Sequence, residues 1–185
     1  MEYYIDCPLS KEISNQLAAG DTVFLSGVIY TARDAAHKRI YEAIIENRQI
    51  PIELKDNTIY YLGPSPAREG MIIGSAGPTT SSRMDKYTPL LIKKGLLGMI
   101  GKGKRSKEVI DAIIENQAIY FAAIGGAGAL LSKCITSSEV IAYDDLGTEA
   151  IRKLEVKNLP VIVVIDSKGN NLYDSEMIKY RKNIE

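Results

Sequence analysis

The residues that most often hold metals are scarce in this 185-residue sequence: two cysteines, Cys7 and Cys134, and one histidine, His37. The cysteines stand 127 positions apart and neither belongs to a CxxC pair. A four-cysteine zinc site is excluded for this chain alone, and so is an iron–sulfur cluster, which usually takes three or four thiolates. His-rich metal sites are excluded as well. A Ser–His–Asp or Cys–His triad would have to run through His37. Charge of one sign is also missing: 23 Lys and Arg balance 23 Asp and Glu. That balance argues against a dedicated nucleic-acid or membrane-surface binder. The longest apolar run, Ile119–Leu131, is broken by Gly125, Gly126 and Gly128 and falls short of the ~20 residues that span a bilayer. The opening MEYYIDCPLSKE places acids and tyrosines where a signal peptide needs a basic and then an apolar stretch. With two unpaired-looking thiols, the expected setting is reducing and cytoplasmic.

What is present suits one globular domain, 1–185, with enough apolar residues (45%) for a sizeable core. No internal repeat or linker divides it. Thr22–Tyr30 reads as a buried strand, followed by a turn at Thr31–Arg33 and a helix over Asp34–Asn47 with Ala36, Ile40 and Ile44 on one face. Ile59–Leu62 is a short strand before the Gly63–Pro66 loop. A second unit is expected to start at Met71–Ile73 and lead through Gly74–Ser82 to a helix near Arg83–Lys94. Leu96–Ile100 and Ala118–Ile124 are further strands, followed by the turns Gly101–Ser106 and Gly125–Gly128. Helices follow over about Lys107–Asn116 and up to Cys134. Glu139–Tyr143, Ile151–Val156 and Val161–Asp166 are read as three more strands, with a hairpin-type turn at Ser167–Asn170. The alternation predicts an α/β layer architecture.

Each glycine-rich turn delivers backbone N–H groups to a helix N-terminus, an arrangement that attracts anions. Cations mark three of these turns: Arg33, Arg83 and Lys102. Hydroxyls at Thr79, Thr80, Ser81 and Ser82 lie beside Arg83 in sequence. Two guanidinium forks and an ammonium would suit a small dicarboxylate. The plainer reading is three tight turns with solvated cations, because sequence alone does not bring the three together. Gly98–Arg105 nearly matches a phosphate-binding loop, but Arg105 stands where Ser or Thr should hold Mg2+. Gly126-x-Gly128, with Asp145 downstream, is a bare fragment of a dinucleotide fingerprint, since Leu131 takes the third glycine position. His37 alone reads more simply as a helix packing residue, and the two cysteines as buried thiols. The eleven tyrosines point to no particular chemistry.

Five segments carry a resemblance. They are Thr31-Ala-Arg-Asp-Ala-Ala-His37, Gly77-Pro-Thr-Thr-Ser-Ser-Arg-Met-Asp85, Gly101-Lys-Gly-Lys-Arg-Ser106, Ile119–Ala129 and Asn158–Asn170. In order, over essentially the whole chain, they resemble the β-subunit or C-terminal domain of the iron–sulfur-dependent hydro-lyases: class I fumarate hydratase and L-tartrate dehydratase. The resemblance implies a swivelling β/β/α-type layered domain. It also implies a partner α subunit that carries a four-iron–four-sulfur cluster, in a heterodimer or heterotetramer, and a C4 dicarboxylate substrate. This chain itself would hold no metal. Arg33, Arg83 and Lys102 match the family's substrate-carboxylate contacts, with Thr80 beside them. Thr79 matches the threonine proposed as catalytic base, with Lys102 as its cationic neighbour. His37 matches the histidine of the family's TRDxAH motif, and His37, Asp34 and Arg105 are the expected supporting residues. Lys104 stands where many relatives have Asn, adding a charge beside Lys102. The alternative is a non-catalytic anion- or nucleotide-binding module.

Overall fold

The computed structural model describes residues 1–123 and 126–180, so Gly125 of the expected turn and Ile124 of the expected strand lie outside the described residues. The strands are β1 (Glu2–Cys7), β2 (Thr22–Thr31), β3 (Thr58–Tyr60), β4 (Gly98–Gly101), β5 (Ile119–Ala122), β6 (Ile135–Ala142) and β7 (Ile151–Ile165). The helices are α1 (Lys11–Gln16), α2 (Asp34–Ile45), α3 (Thr88–Lys93), α4 (Lys107–Asn116), α5 (Gly128–Leu131) and α6 (Leu172–Tyr180). The mixed α/β class expected from the alternation is present.

The sheet order is β1-β2-β3-β4-β5-β7-β6, and a further β2–β7 pairing closes it into a barrel-like ring. β1 to β5 run parallel, whereas β7 is antiparallel to β2, β5 and β6. β1 extends one edge of β2, and β6 extends one edge of β7. Leu25, Ile29, Ile59, Tyr60, Tyr120 and Phe121 are all fully buried, and because neighbours on a strand point to opposite faces, Ile59–Tyr60 and Tyr120–Phe121 show that the sheet is covered on both sides there. β3, β4 and β5 are buried on both faces, as parallel strands in a covered sheet are, whereas β1 is largely exposed and β2 alternates.

Several elements differ from the sequence reading. Ile151–Val156 and Val161–Asp166 are halves of one strand, β7, and Pro160 lies within it. Between Val156, where β6 pairing ends, and Ile162, where β5 pairing begins, only β2 flanks β7. A residue without an N–H is tolerated there because one side of the ladder is open. The expected helix at Arg83–Lys94 is a 3-10 turn, Ser81–Met84, then α3, which begins anew because Pro89 sits in its first turn. Met71–Ile73 forms no strand and belongs to a long loop over 61–80. Ser167–Asn170 is a tight turn held by Asp166 but leads into α6, not into a returning strand. β1 and α1 have no counterpart in the sequence reading; Ser10 caps α1 by accepting from the Ile13 N–H at 3.3 Å. No helix among the described residues is long and apolar enough to cross a membrane.

Candidate active site at the strand ends

Because β2, β3, β4 and β5 are parallel, their C-terminal ends open on one rim, where α/β sheets commonly bind ligands. The three marked cations all follow these ends. Arg33 follows β2, the 61–80 loop and Arg83 follow β3, and Lys102 follows β4.

Asp34 joins two of them. Its Oδ1 accepts from Arg83 Nε at 2.7 Å, and its Oδ2 lies 3.6 Å from Arg33 Nη2. Glu149 closes the group from the turn before β7. Its Oε1 is 3.6 Å from Arg33 Nη2, and its Oε2 accepts the Ala35 N–H at 2.8 Å, capping α2 from a distance in sequence. Arg33 is mostly covered, with 20% side-chain exposure, whereas Arg83 is 52% exposed. Arg33 Nε and Asp34 Oδ2 are buried with no hydrogen-bond partner.

The second group forms where the 61–80 loop runs beside the turn after β4. The Thr79 N–H donates to the Tyr61 carbonyl at 2.8 Å, and Thr80 bridges Lys102 in parallel. The Ser81 N–H donates to the Lys102 carbonyl at 2.9 Å, and the Lys102 N–H returns to Ser81 Oγ at 3.0 Å. Two glycines permit this. A Cβ on Gly101 would strike Ser81 Oγ, and Gly103 turns the chain at φ 82°. Thr80 and Lys102 are exposed and Thr79 is half-buried.

His37 and Arg105 lie behind this surface. His37 is fully buried on α2, with Nδ1 3.0 Å from the Arg33 carbonyl. A carbonyl only accepts, so Nδ1 carries the proton, and Nε2 is left buried without a partner. Burial pulls the imidazole pKa down to about 4, so the ring is neutral. His37 therefore steadies the backbone of Arg33 itself and does not face solvent. The Arg105 side chain is also fully buried. Its Nε donates to Asp85 Oδ1 at 2.7 Å, its Nη2 to Thr88 Oγ1 at 2.9 Å, and its guanidinium lies over the Tyr61 and Tyr120 rings. Burial opposes the charge on Arg105, but Tyr61 and Asp85 more than offset this, and its pKa is raised. Asp85 Oδ2 also accepts the Ser106 N–H at 2.6 Å. Lys104 turns toward α6, 3.3 Å from Asp174, so its charge is partly balanced there and does not simply add to Lys102.

Sequence reasoning missed Glu149 and Tyr61. Tyr61 links the set: its carbonyl holds Thr79, its ring meets His37 edge-on at 5.1 Å, and it underlies Arg105. Only the apolar Ile59–Leu62 run hinted at it. Asp85 was visible as the last residue of the quoted GPTTSSRMD segment, but its partner was not.

The nucleotide-loop readings do not survive. Gly98 lies within buried β4, Lys104 pairs with Asp174, and Arg105 is committed to Asp85. Gly126-x-Gly128 leads only to the four-residue α5. Three concavities of about 410, 310 and 370 Å3 are lined by residues other than Arg33, Thr79, Arg83 and Lys102. Arg83, Thr80 and Lys102 are exposed, so this part of the rim faces solvent, with Arg33 mostly covered beneath it.

The chain's own thiols do not fit an iron–sulfur cluster. Cys7 pairs with Gly27, Gly27 with Val156, and Val156 with Ile135, the neighbour of Cys134. That is three strand steps, roughly 14 Å along the sheet. Burial raises the Cys7 pKa to about 11, away from the thiolate that ligates metal. No group of three or more His, Cys, Asp or Glu among the described residues is arranged to hold a metal ion.

The family model described as "Fumarase C-terminus" matches residues 4–176. Fumarate hydratase class I, anaerobic, of Escherichia coli K12 is 40% identical over 168 residues, which are 88% of this chain and 31% of that protein. Fumarate hydratase 2 of Leishmania major is 39% identical, over 88% of this chain and 29% of its own length. A Methanocaldococcus jannaschii protein provisionally named L(+)-tartrate dehydratase subunit beta is 38% identical over 180 residues, 94% of this chain and 92% of that protein. The chain thus spans about a third of the fumarate hydratases but nearly all of the subunit. A match from residue 4 to residue 176 and these identities have one meaning: the chain belongs to the fumarase C-terminus family.

Proposed function

We propose that this chain is the substrate-clamping β subunit of a heteromeric hydro-lyase acting on a C4 dicarboxylate. Fumarate to L-malate is the first candidate reaction and L-tartrate to oxaloacetate the second. The observation that carries the reading is the rim where Asp34 ties Arg83 to Arg33, with Thr79 and Thr80 held beside Lys102. Hydration across the double bond of a dicarboxylate builds negative charge on the carboxylate next to the carbon that gains or loses the proton. Fixed cations stabilise that charge without reorganising during the reaction. Arg33 and Arg83 supply planar forks and Lys102 a point charge. Thr79 is a contact at this surface. As a base it would need a cation to favour its alkoxide, and Lys102, which bridges the adjacent Thr80, is the nearest candidate.

The exposure of Arg83, Thr80 and Lys102 on the rim supports a site completed by a second subunit. In this reading an α subunit covers the rim and carries the four-iron–four-sulfur cluster, which this chain's distant thiols cannot hold. The pair is a cytoplasmic heterodimer or heterotetramer, and the layered β/β/α domain swivels onto its partner.

The test is the ligand profile of the reconstituted pair. Fumarate, L-malate or L-tartrate should be turned over, and Arg83→Ala should abolish that turnover. Tight NAD or ATP binding unaffected by Arg83→Ala, with no turnover of any dicarboxylate, would replace this reading with the anion- or nucleotide-binding module.

A further inference from the structure

The turn that presents Lys102 is fastened by hydroxyl groups on three separate elements. Ser81, from the 61–80 loop side, accepts the Lys102 N–H at 3.0 Å. Tyr120, on β5, has its hydroxyl 2.8 Å from Ser81 Oγ and 2.9 Å from the Gly103 carbonyl oxygen. A phenol has one proton and a carbonyl has none, so Tyr120 donates to Gly103 and receives the Ser81 hydroxyl proton. Tyr173, at the start of α6, accepts the Gly103 N–H at 3.0 Å. One residue further on, Asp174 pairs with Lys104 at 3.3 Å.

Both backbone polar groups of Gly103 and the N–H of Lys102 therefore end on side-chain hydroxyls, not on a regular ladder. Gly103 itself is at φ 82°, so this turn is not fixed by ordinary strand or helix geometry. Tyr120 is buried, and its ring lies under the Arg105 guanidinium 4.9 Å away. Its phenol pKa is pushed up by burial, which keeps the donor protonated. Tyr173 is only half-buried, and its element begins ~70 residues after the turn it touches.

We propose that Tyr120 and Tyr173 are positioning residues for Lys102: together with Ser81 they clamp the turn after β4, so that the C-terminal helix α6 helps set the substrate contact made from β4. This rests on the hydro-lyase reading for its substrate but not for its geometry. Neither tyrosine need touch the reacting atoms. Both would act through the placement of Lys102.

Tyr120→Phe and Tyr173→Phe remove only a hydroxyl and keep the rings. In the reconstituted pair, each should lower kcat/KM for fumarate or L-tartrate about tenfold, the scale of one lost hydrogen bond at a site that demands sub-ångström placement. In a Lys102→Ala background the same changes should cost less than about twofold, because the residue they position is gone. Amide hydrogen exchange gives a readout that does not depend on turnover. Exchange at Lys102 and Gly103 should speed about tenfold in both variants, while α4 keeps its protection. Unchanged exchange at Gly103 would overturn the clamp. An equal loss of kcat/KM with and without Lys102 would overturn its action through Lys102. If the wild-type pair turns over no dicarboxylate, the hydro-lyase reading falls, and the exchange rates alone still decide the clamp.

Discussion

Asp34 receives Arg83 Nε at 2.7 Å on one oxygen and faces Arg33 Nη2 at 3.6 Å with the other, so one carboxylate aims two guanidinium groups. The two arginines are 50 residues apart in sequence and meet only because β2 and β3 end on the same rim. Asp34→Asn keeps the shape and removes the charge. It should lower kcat/KM for the dicarboxylate about tenfold or more and also lower the melting temperature, since Asp34 Oδ2 is buried beside the mostly covered Arg33. Steady-state kinetics of the variant pair check this. A loss of stability with full activity would mean that Asp34 is only a structural anchor.

Arg83→Lys is a finer probe of the same contact. Lysine retains the charge but has neither the fork nor an Nε to reach Asp34. The expected loss in kcat/KM is about tenfold, against no measurable change for Arg48→Lys on the exposed turn after α2. Equal turnover for both substitutions would remove Arg83 from the carboxylate clamp.

The pair Arg105–Asp85 should behave oppositely, as a stability element. Asp85→Asn leaves a buried guanidinium without its counter-charge, which typically costs about 3–5 kcal/mol. For a chain of this length that is roughly 6–20 °C in melting temperature. A double change to apolar residues, Asp85→Leu with Arg105→Met, should recover much of the loss. A single variant that melts like wild type would contradict the buried-pair assignment.

His37 provides a pH signature. Its folded pKa, about 4, lies below the unfolded value of 6.5, so the unfolded chain binds the proton more readily. The neutral ring's contribution is fully present above pH 6.5 and is lost as pH falls toward 4, with an upper bound of roughly 3 kcal/mol. His37→Asn retains a donor near Nδ1 but does not titrate. Denaturant unfolding should show it less stable than wild type at about pH 7, with the gap narrowing by about pH 4. A gap independent of pH would place His37 in an environment other than the one described.

The sequence made the parallel strand–turn–helix units legible because each carries its own local signals. The β2 run, the apolar face of α2 and the α4 stretch capped by Ser106 all matched. The closure of the sheet was not legible. It depends on β2–β7 pairing across more than 120 residues, and Pro160 disguises β7 as two strands. At the site, the cations stood out as charged residues beside glycine turns. What they lean on did not. Glu149 sits in a turn with no motif, and Tyr61, Tyr120 and Tyr173 acquire meaning only through partners 17 to 70 residues away. Motif matching also grouped Arg105 with Lys102, although one residue is buried in an ion pair and the other is exposed.

The most direct test of the account is fumarate turnover by this chain alone and by the chain combined anaerobically with a cluster-bearing α subunit. The account predicts a colourless, inactive chain and a pair that interconverts fumarate and L-malate, or acts on L-tartrate, and loses that activity with Arg33→Ala. Full activity of the isolated, iron-free chain, or a reconstituted pair indifferent to Arg33, would contradict it.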